Sequence, residues 1–234
     1  EDILYITDQE ETYAALKKEG RYVLPYYHEG NQGAVFPGAI YAVECLEEVE
    51  EESLEMAYRR LAGLPWEILQ TERCVIRETT VEDVDNFYRI YDDSSITEYM
   101  EPLFEDRDEE IAYTKNYIEK VYGFYGYGMW TVLDKNSGEV IGRAGISWRE
   151  GYDLPELGFV ISVPWQRQGY AFEVCMAILA YAKTELLMEQ VQALVQPENK
   201  NSLNLCEKLG FTLAGETMLD GEKHFLLTKS LQRE

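Results

Sequence analysis

The chain has 234 residues, 46% of them hydrophobic, and a formal net charge of −23. That length suits one large domain or two small ones, and the apolar share supplies a packed core rather than global disorder. So large a negative charge argues against a nucleic-acid binder or a protein held on an anionic membrane; it suits a cationic partner or a solvated acidic surface. Cys45, Cys74, Cys175 and Cys206 stand singly in apolar segments with no C-x-x-C pair. This argues against a zinc site and for buried thiols in a reducing compartment. There is no run of about 18 apolar residues and no signal-peptide pattern, so the cytoplasm is the default expectation. The chain opens on Glu1 rather than Met, which leaves room for residues before it.

Residues 1–70 read as a β-α-β-β-α unit. An apolar strand at 3–7 leads to Asp8, a candidate cap for a helix over 10–19 that ends at Gly20. A second strand is expected at 22–27, a glycine-rich loop at 28–38 and a third strand at 39–43. The acidic run 47–52 opens a helix through Leu61, where negative charge suits the helix dipole. Gly63 and Pro65 close it. Strands alternating with helices point to a small parallel sheet. The pattern resembles part of a haloacid-dehalogenase-like fold, but it has no Asp-x-Asp nucleophile motif, so no phosphatase activity is implied. Asp8 is open to a site role as well as a cap role. His28 with Glu29 reads as a surface loop or a ligand contact. The expected role of 1–70 is an accessory or partner-binding domain, with 71–234 as the second domain.

From Cys74 the periodicity restarts. A strand at 74–78 is followed by Thr79 and Thr80, either able to cap a helix through Val84, Phe87, Tyr88 and Tyr91. Thr80 and Asp83 approximate a capping box. A short helix is expected at 94–104. A longer one opens at Asp106, with Ile111, Thr114, Ile118, Val121 and Tyr122 inward. The aromatic cluster 122–128 breaks the helical period; it either walls an acceptor or packs a loop onto a sheet. Strands at 129–133 and 139–148 flank an Asn-Ser-Gly turn and make a hairpin. A strand at 157–163, a glycine-bearing turn and a helix over 169–187 follow. A strand at 191–196, a helix at 199–209 and two paired strands around Asp220 and Gly221 complete the chain.

The turn reads Gln166, Arg167, Gln168, Gly169, Tyr170, Ala171. A glycine next to a helix start lets bare backbone N–H groups face an anionic phosphate. Together with Ile76 to Thr80, with Gly142 and Gly145, with Glu156-Leu157-Gly158-Phe159, and with Asn199, Ser202 and the later Lys208-Leu209-Gly210-Phe211, this pattern resembles the GNAT superfamily of N-acetyltransferases. Within it the pattern is closest to the Rim-type branch that modifies N-termini of ribosomal proteins. The resemblance covers residues 72–231. It implies an α/β fold, a mixed, strongly twisted sheet flanked by helices, in which two central parallel strands splay apart and admit the arm of acetyl-CoA. Phe159, Val160 and Ile161 would then offer backbone groups to the arm. Gln166, Arg167, Gln168, Gly169, Tyr170 and Ala171 would hold the pyrophosphate, and Asn199 the arm from the opposite strand. Ser202 would either touch the cofactor or cap its own helix. No metal is implied.

The implied activity is acetyl transfer to a primary amine of a small molecule or protein N-terminus, by direct attack on the thioester. An α-amine suits this best. With a pKa of about 8, roughly one in ten is neutral at pH 7, against about one lysine in 2,500. Backbone N–H groups near Phe159 and Val160 are candidates for oxyanion stabilisation. Glu156 is the candidate base, directly or through a water, its bland alternative being a strand-end carboxylate. Cys206 stands where many family members carry a tyrosine proton donor; it is either a donor or a small buried hydrophobe. A homodimer is compatible with this reading, and neither nucleic acid nor membrane is an expected partner. The alternative is a catalytically weak acyl-CoA-binding module that regulates a partner through residues 1–70.

Overall fold

The structure is a computed structural model that describes residues 3–232. The chain divides into two compact units, Glu1–Trp66 and Glu67–Glu234.

In the first unit, β1 (Leu4–Thr7) leads into α1 (Glu10–Lys18) and β2 (Tyr22–Pro25), and α2 spans Glu51–Leu61. β1 and β2 pair in parallel. The expected third strand shrinks to one parallel bridge, Tyr26 with Val43. Val43 is the only buried residue of that stretch, and Ile40 is 55% exposed, so nothing presses residues 39–42 onto a sheet. The helix expected from 47 begins at Glu51, because Val49 is extended (φ −78°, ψ 120°) after a separate turn at Leu46–Glu48. Two strands and one bridge are too little sheet for the haloacid-dehalogenase-like resemblance, which the structure does not support. Asp8 is not the helix cap either: Gln9 holds that position without a side-chain bond. Instead His28 Nε2 lies 3.2 Å from the Asp8 carboxylate, and His28 Nδ1 accepts from the Gly30 N–H at 3.1 Å. The two residues tie the end of β1 to the following loop.

The second unit is a mixed α/β fold on an eight-stranded sheet. Its strands are β3 (Glu67–Gln70), β4 (Cys74–Arg77), β5 (Met129–Asp134), β6 (Val140–Ser147), β7 (Glu156–Ile161), β8 (Gln190–Val195), β9 (Thr212–Leu219) and β10 (Glu222–Ser230). Their spatial order is β3-β4-β5-β6-β7-β8-β10-β9. Every neighbouring pair is antiparallel except β7 and β8. Gly142 is required where β6 meets β7, since a Cβ there would fall 2.2 Å from the Val160 carbonyl oxygen.

Helices cover both faces: α3 (Val84–Tyr91), α4 (Ser94–Thr97), α5 (Arg107–Tyr117), α6 (Gly123–Tyr125), α7 (Tyr170–Thr184) and α8 (Lys200–Lys208). The main core includes Trp130, Val132, Ile141, Leu157 and Ile161 with Val174, Cys175, Ile178 and Ala182 of α7. On the other face Phe87, Ile90 and Ile96 pack against Val160. The Thr80–Asp83 capping box forms, and Asp83 also takes two 2.7 Å bonds from Arg77. The helix expected over 94–104 is cut to Ser94–Thr97; Pro102 has no N–H to donate and disfavours helix just before it. Between α5 and α6 the helix widens into a π turn, Ile118–Tyr122. There the Met129 N–H donates to the Tyr117 hydroxyl at 2.7 Å, and the Tyr122 hydroxyl donates to the Met129 carbonyl.

Candidate functional site

The site is built where the sheet divides. β7 pairs with β6 along its whole length, but with β8 at one position only, Glu156 opposite Gln192. Beyond that point the two strands part. Ser162 donates its N–H to Ile141 at 2.8 Å, which fixes the alternation along the antiparallel ladder. Val160 and Gly158 therefore turn their backbone groups to β6. Phe159 and Ile161 turn theirs into the fork. The Ile161 carbonyl accepts from Gln166 Nε2 at 2.8 Å, so the fork offers both backbone groups of Phe159 and the N–H of Ile161. Val160 contributes packing, with its side chain against Phe87, Ile90 and Ile96.

The loop after β7 ends on two left-handed residues, Arg167 (φ 57°) and Gly169 (φ 87°), and α7 begins at Tyr170. The first-turn N–H groups of Tyr170, Ala171 and Phe172 have no acceptor within the helix. A Cβ on Gly169 would meet only the end of the Arg73 side chain, at 3.4 Å. Open space, bare N–H groups and a helix dipole together suit a phosphate. Gln168 is held by its own Nε2 donating to the Pro164 carbonyl at 2.7 Å. Tyr170 stacks edge-on to Trp165, and its hydroxyl donates to Asp134 at 3.3 Å. It is the backbone of Tyr170 that faces the loop, not the phenol.

Arg73 organises this loop, and nothing in the local sequence announces it. Its Nη1 donates to the Gln168 carbonyl at 3.0 Å and its Nε to Glu173 at 2.6 Å. Its own N–H donates to the other Glu173 oxygen at 2.8 Å, and the guanidinium lies 4.1 Å from the Tyr170 ring centre. Burial pushes the Glu173 carboxyl up, but bonds from Thr71 and Arg73 outweigh it and hold it below the usual range. Glu173 stays ionised, and Arg73 cancels its charge beside the helix start.

On the opposite strand's end, Asn199 caps α8 by accepting from the Ser202 N–H at 3.1 Å. That corrects one expectation: Ser202 is not the cap, because helix starts at Lys200 and Ser202 is already in its first turn. The cap uses the Asn199 side-chain oxygen and not its amide nitrogen. Gln192, across from Glu156, is 2% exposed, and its Nε2 has no partner. It is a buried donor at the apex of the fork that sequence reading passed over.

Glu156 does not stand alone. Arg149 donates to its Oε2 at 2.5 Å and approaches Oε1 at 3.5 Å. A carboxylate has about four lone-pair sites, so two remain for an incoming ammonium or water. Cys206 is fully buried in the main core, and burial raises its thiol to about 11. A thiol so placed is a poor proton donor and a good small hydrophobe. The aromatic cluster divides: Tyr122 is buried and packs the loop on the sheet, while Phe124 is 82% exposed. Tyr127 accepts from Trp148 Nε1 at 2.5 Å.

The model of a family described as an acetyltransferase (GNAT) domain matches residues 73–212. The chain belongs to the GNAT acetyltransferases. It is 28% identical over 148 residues to a Bacillus subtilis protein named as an uncharacterized N-acetyltransferase, YnaD, covering 63% of this chain and 84% of that one. It is 25% identical over 173 residues to the [ribosomal protein uS5]-alanine N-acetyltransferase of Escherichia coli, covering 69% and 88%. Among solved structures, a GnaT-family acetyltransferase of Bordetella pertussis superposes with a TM-score of 0.59 at 26% identity, over 69% of this GNAT chain and 98% of that one. A ribosomal alpha-N-protein acetyltransferase, RimL, solved with coenzyme A, gives 0.60 at 14% identity over 70% and 98%. The family match lies wholly within the second unit. Among the described residues no group of three or more His, Cys, Asp or Glu could hold a metal ion, and no helix is long and apolar enough to cross a membrane.

Proposed function

We propose that this acetyltransferase transfers an acetyl group from acetyl-CoA to a primary amine, of a small molecule or a protein N-terminus, by direct attack on the thioester. The observation that carries the reading is the fork. A single residue pair joins β7 to β8, and the start of α7 lies at the end of the loop that leaves β7.

Acetyl-CoA supplies an activated acyl group and a thiolate leaving group. The chain supplies the rest. The Phe159 C=O and the Ile161 N–H pair with the amide-rich arm as a neighbouring strand would. The loop of Gln166, Arg167, Gln168, Gly169, Tyr170 and Ala171 presents N–H groups to the pyrophosphate, held in shape by Arg73. Asn199 reaches the arm with its amide. The Phe159 N–H stabilises negative charge on the carbonyl oxygen. Glu156, held in place by Arg149, attracts the acceptor ammonium and takes its proton through a water. Gln192 Nε2 donates to that water or to the acceptor. The leaving thiolate is protonated by solvent, since Cys206 is closed away. Residues 1–70 act as an accessory domain.

Thiol release from acetyl-CoA over a panel of amines and N-terminal peptides tests the reading. Turnover on at least one α-amine is the expected result. Acetyl-CoA bound with no thiol release across the panel would replace it with a regulatory acyl-CoA-binding module.

A further inference from the structure

Arg143 lies on β6, opposite Val160 of β7, on the sheet face packed by α3 and α5. Its guanidinium carbon is 4.5 Å from the centre of the Phe87 ring. Tyr91, Tyr113, Tyr117 and Tyr122 are all near enough to act on it electrostatically. Its Nε is buried with no hydrogen-bond partner, and the residue as a whole is half-buried.

What sets it apart is the lack of a counter-charge. Arg73, Arg77, Arg107 and Arg149 each hold a carboxylate at 2.5–2.7 Å. Among the described residues Arg143 holds none within ion-pair reach. Glu110 of α5, 3% exposed, is turned to the Phe104 N–H at 3.2 Å instead. The phenols do not fill the role. Burial, the largest cause, raises Tyr91, Tyr117 and Tyr122, so they stay neutral at neutral pH. Tyr117 and Tyr122 are also occupied by the backbone of Met129. A position that needed only volume would be served by Leu or Met, whereas a cation with no counter-charge and a buried Nε is costly. One hydrogen bond to the Tyr91 side chain leaves the buried Nε unclaimed, and a planar guanidinium matches a carboxylate, which it binds through two parallel bonds.

The position adds a distance. Arg143 shares its sheet face with Glu156 and Val160, and β7 runs four residues from Glu156 to Val160, or about 13 Å at strand spacing. The proposed ammonium site and the guanidinium thus stand at the two ends of a stretch that brackets Phe159. We propose that Arg143 is the carboxylate receptor of the acceptor site, and that the amine acetylated by this enzyme carries a carboxylate several bonds from its nitrogen. This rests on the fork being the acetyl-CoA cleft.

Two matched pairs of probes test it: ε-aminocaproate against its amide, and Ala-Asp-amide against Ala-Asn-amide. The first pair represents a small acceptor and the second a peptide N-terminus. Calorimetry with coenzyme A present and absent reads binding without turnover, and thiol release reads the reaction. The wild type is expected to favour the acid of at least one pair by about tenfold or more. Arg143→Gln is expected to bring that ratio close to one while coenzyme A affinity is kept, and Arg143→Lys to retain part of it. Equal binding of acid and amide by the wild type overturns the proposal, as does a preference that survives in Arg143→Gln, or no binding of any probe. If Arg143→Gln fails to fold by circular dichroism, the wild-type acid-to-amide ratio and Arg143→Lys decide. Loss of coenzyme A binding in the wild type would instead sink the reading of the fork, and the coenzyme-free titrations would still decide whether Arg143 receives a carboxylate.

Discussion

Gly169 allows the phosphate site to be tested by separating shape from charge. Its φ of 87° lies in the left-handed region, and the space beyond its Cα is open apart from Arg73 at 3.4 Å. Gly169→Ala and Gly169→Glu therefore carry the same backbone cost, about 1–2 kcal/mol for a non-glycine residue in that region. Both variants should melt earlier by a similar amount. Only Gly169→Glu adds a negative charge where a pyrophosphate is expected. One such pair at 4 Å repels by about 1 kcal/mol in bulk water and about 4 kcal/mol at an effective dielectric of 20. With tenfold per 1.4 kcal/mol, Gly169→Glu should bind coenzyme A about fivefold to several hundredfold more weakly than Gly169→Ala. Calorimetric titration of both variants measures the gap, and raising the salt should narrow it. Equal affinities in the two variants would refute the placement of the phosphate at the start of α7.

Other variants probe the groups around the fork. Arg73→Met removes the bonds to Gln168 and Glu173 and leaves Glu173 uncompensated. A loss of about 1–3 kcal/mol in urea unfolding is expected, partly recovered by adding Glu173→Gln; additive losses would contradict the clamp. Glu156→Gln should cut kcat/KM on the order of a hundredfold at pH 7, with recovery as pH rises past the α-amine's value of about 8, because a neutral amine needs no base. A deficit equal at all pH values would remove Glu156 from that role. Burial raises Cys74 and Cys206 to about 11, so both stay protonated below that pH as well as enclosed, whereas Cys45 is exposed. Native protein treated with iodoacetamide at pH 8 should gain one adduct by intact mass, on Cys45; a second adduct on Cys206 would reopen it as a reactive thiol. Cys206→Ala should keep its rate of acetyl transfer.

The second unit was legible because its signals are local. The Asn-Ser-Gly turn specified the hairpin of β5 and β6, and one glycine marked the loop that leads into α7. Asn199 was equally visible, but as a contact to the cofactor arm, and the cap of α8 was one of the two readings of Ser202; the helix start at Lys200 makes Asn199 the cap instead. What stayed hidden is long-range. Arg73 reaches Glu173 across 100 residues, and Arg143 is unremarkable until four tyrosines from two helices gather around it. Arg149 is seven residues from Glu156, yet the turn that folds it back has no sequence signature. In the first unit the apolar spelling of residues 39–43 suggested a strand, but local propensity without a face to bury yields a bridge and no more.

The π turn after α5 has a consequence for evolution by insertion and deletion. In a regular helix, residues five apart point about 140° away from each other. One extra residue per turn brings Tyr117 and Tyr122 to the same side, and together their hydroxyls bracket Met129 much as a neighbouring strand would, one taking its N–H and the other capping its carbonyl. Relaxing the turn to regular helix with the residue count unchanged would swing one hydroxyl away and leave half of a part-buried peptide group unmet, whereas losing one residue would set the two tyrosines four apart, about 40° round a regular helix, and remove the need for the π turn. A homologous chain with the same two tyrosines can keep both on one side in either of two ways, five apart with a π turn or four apart without one.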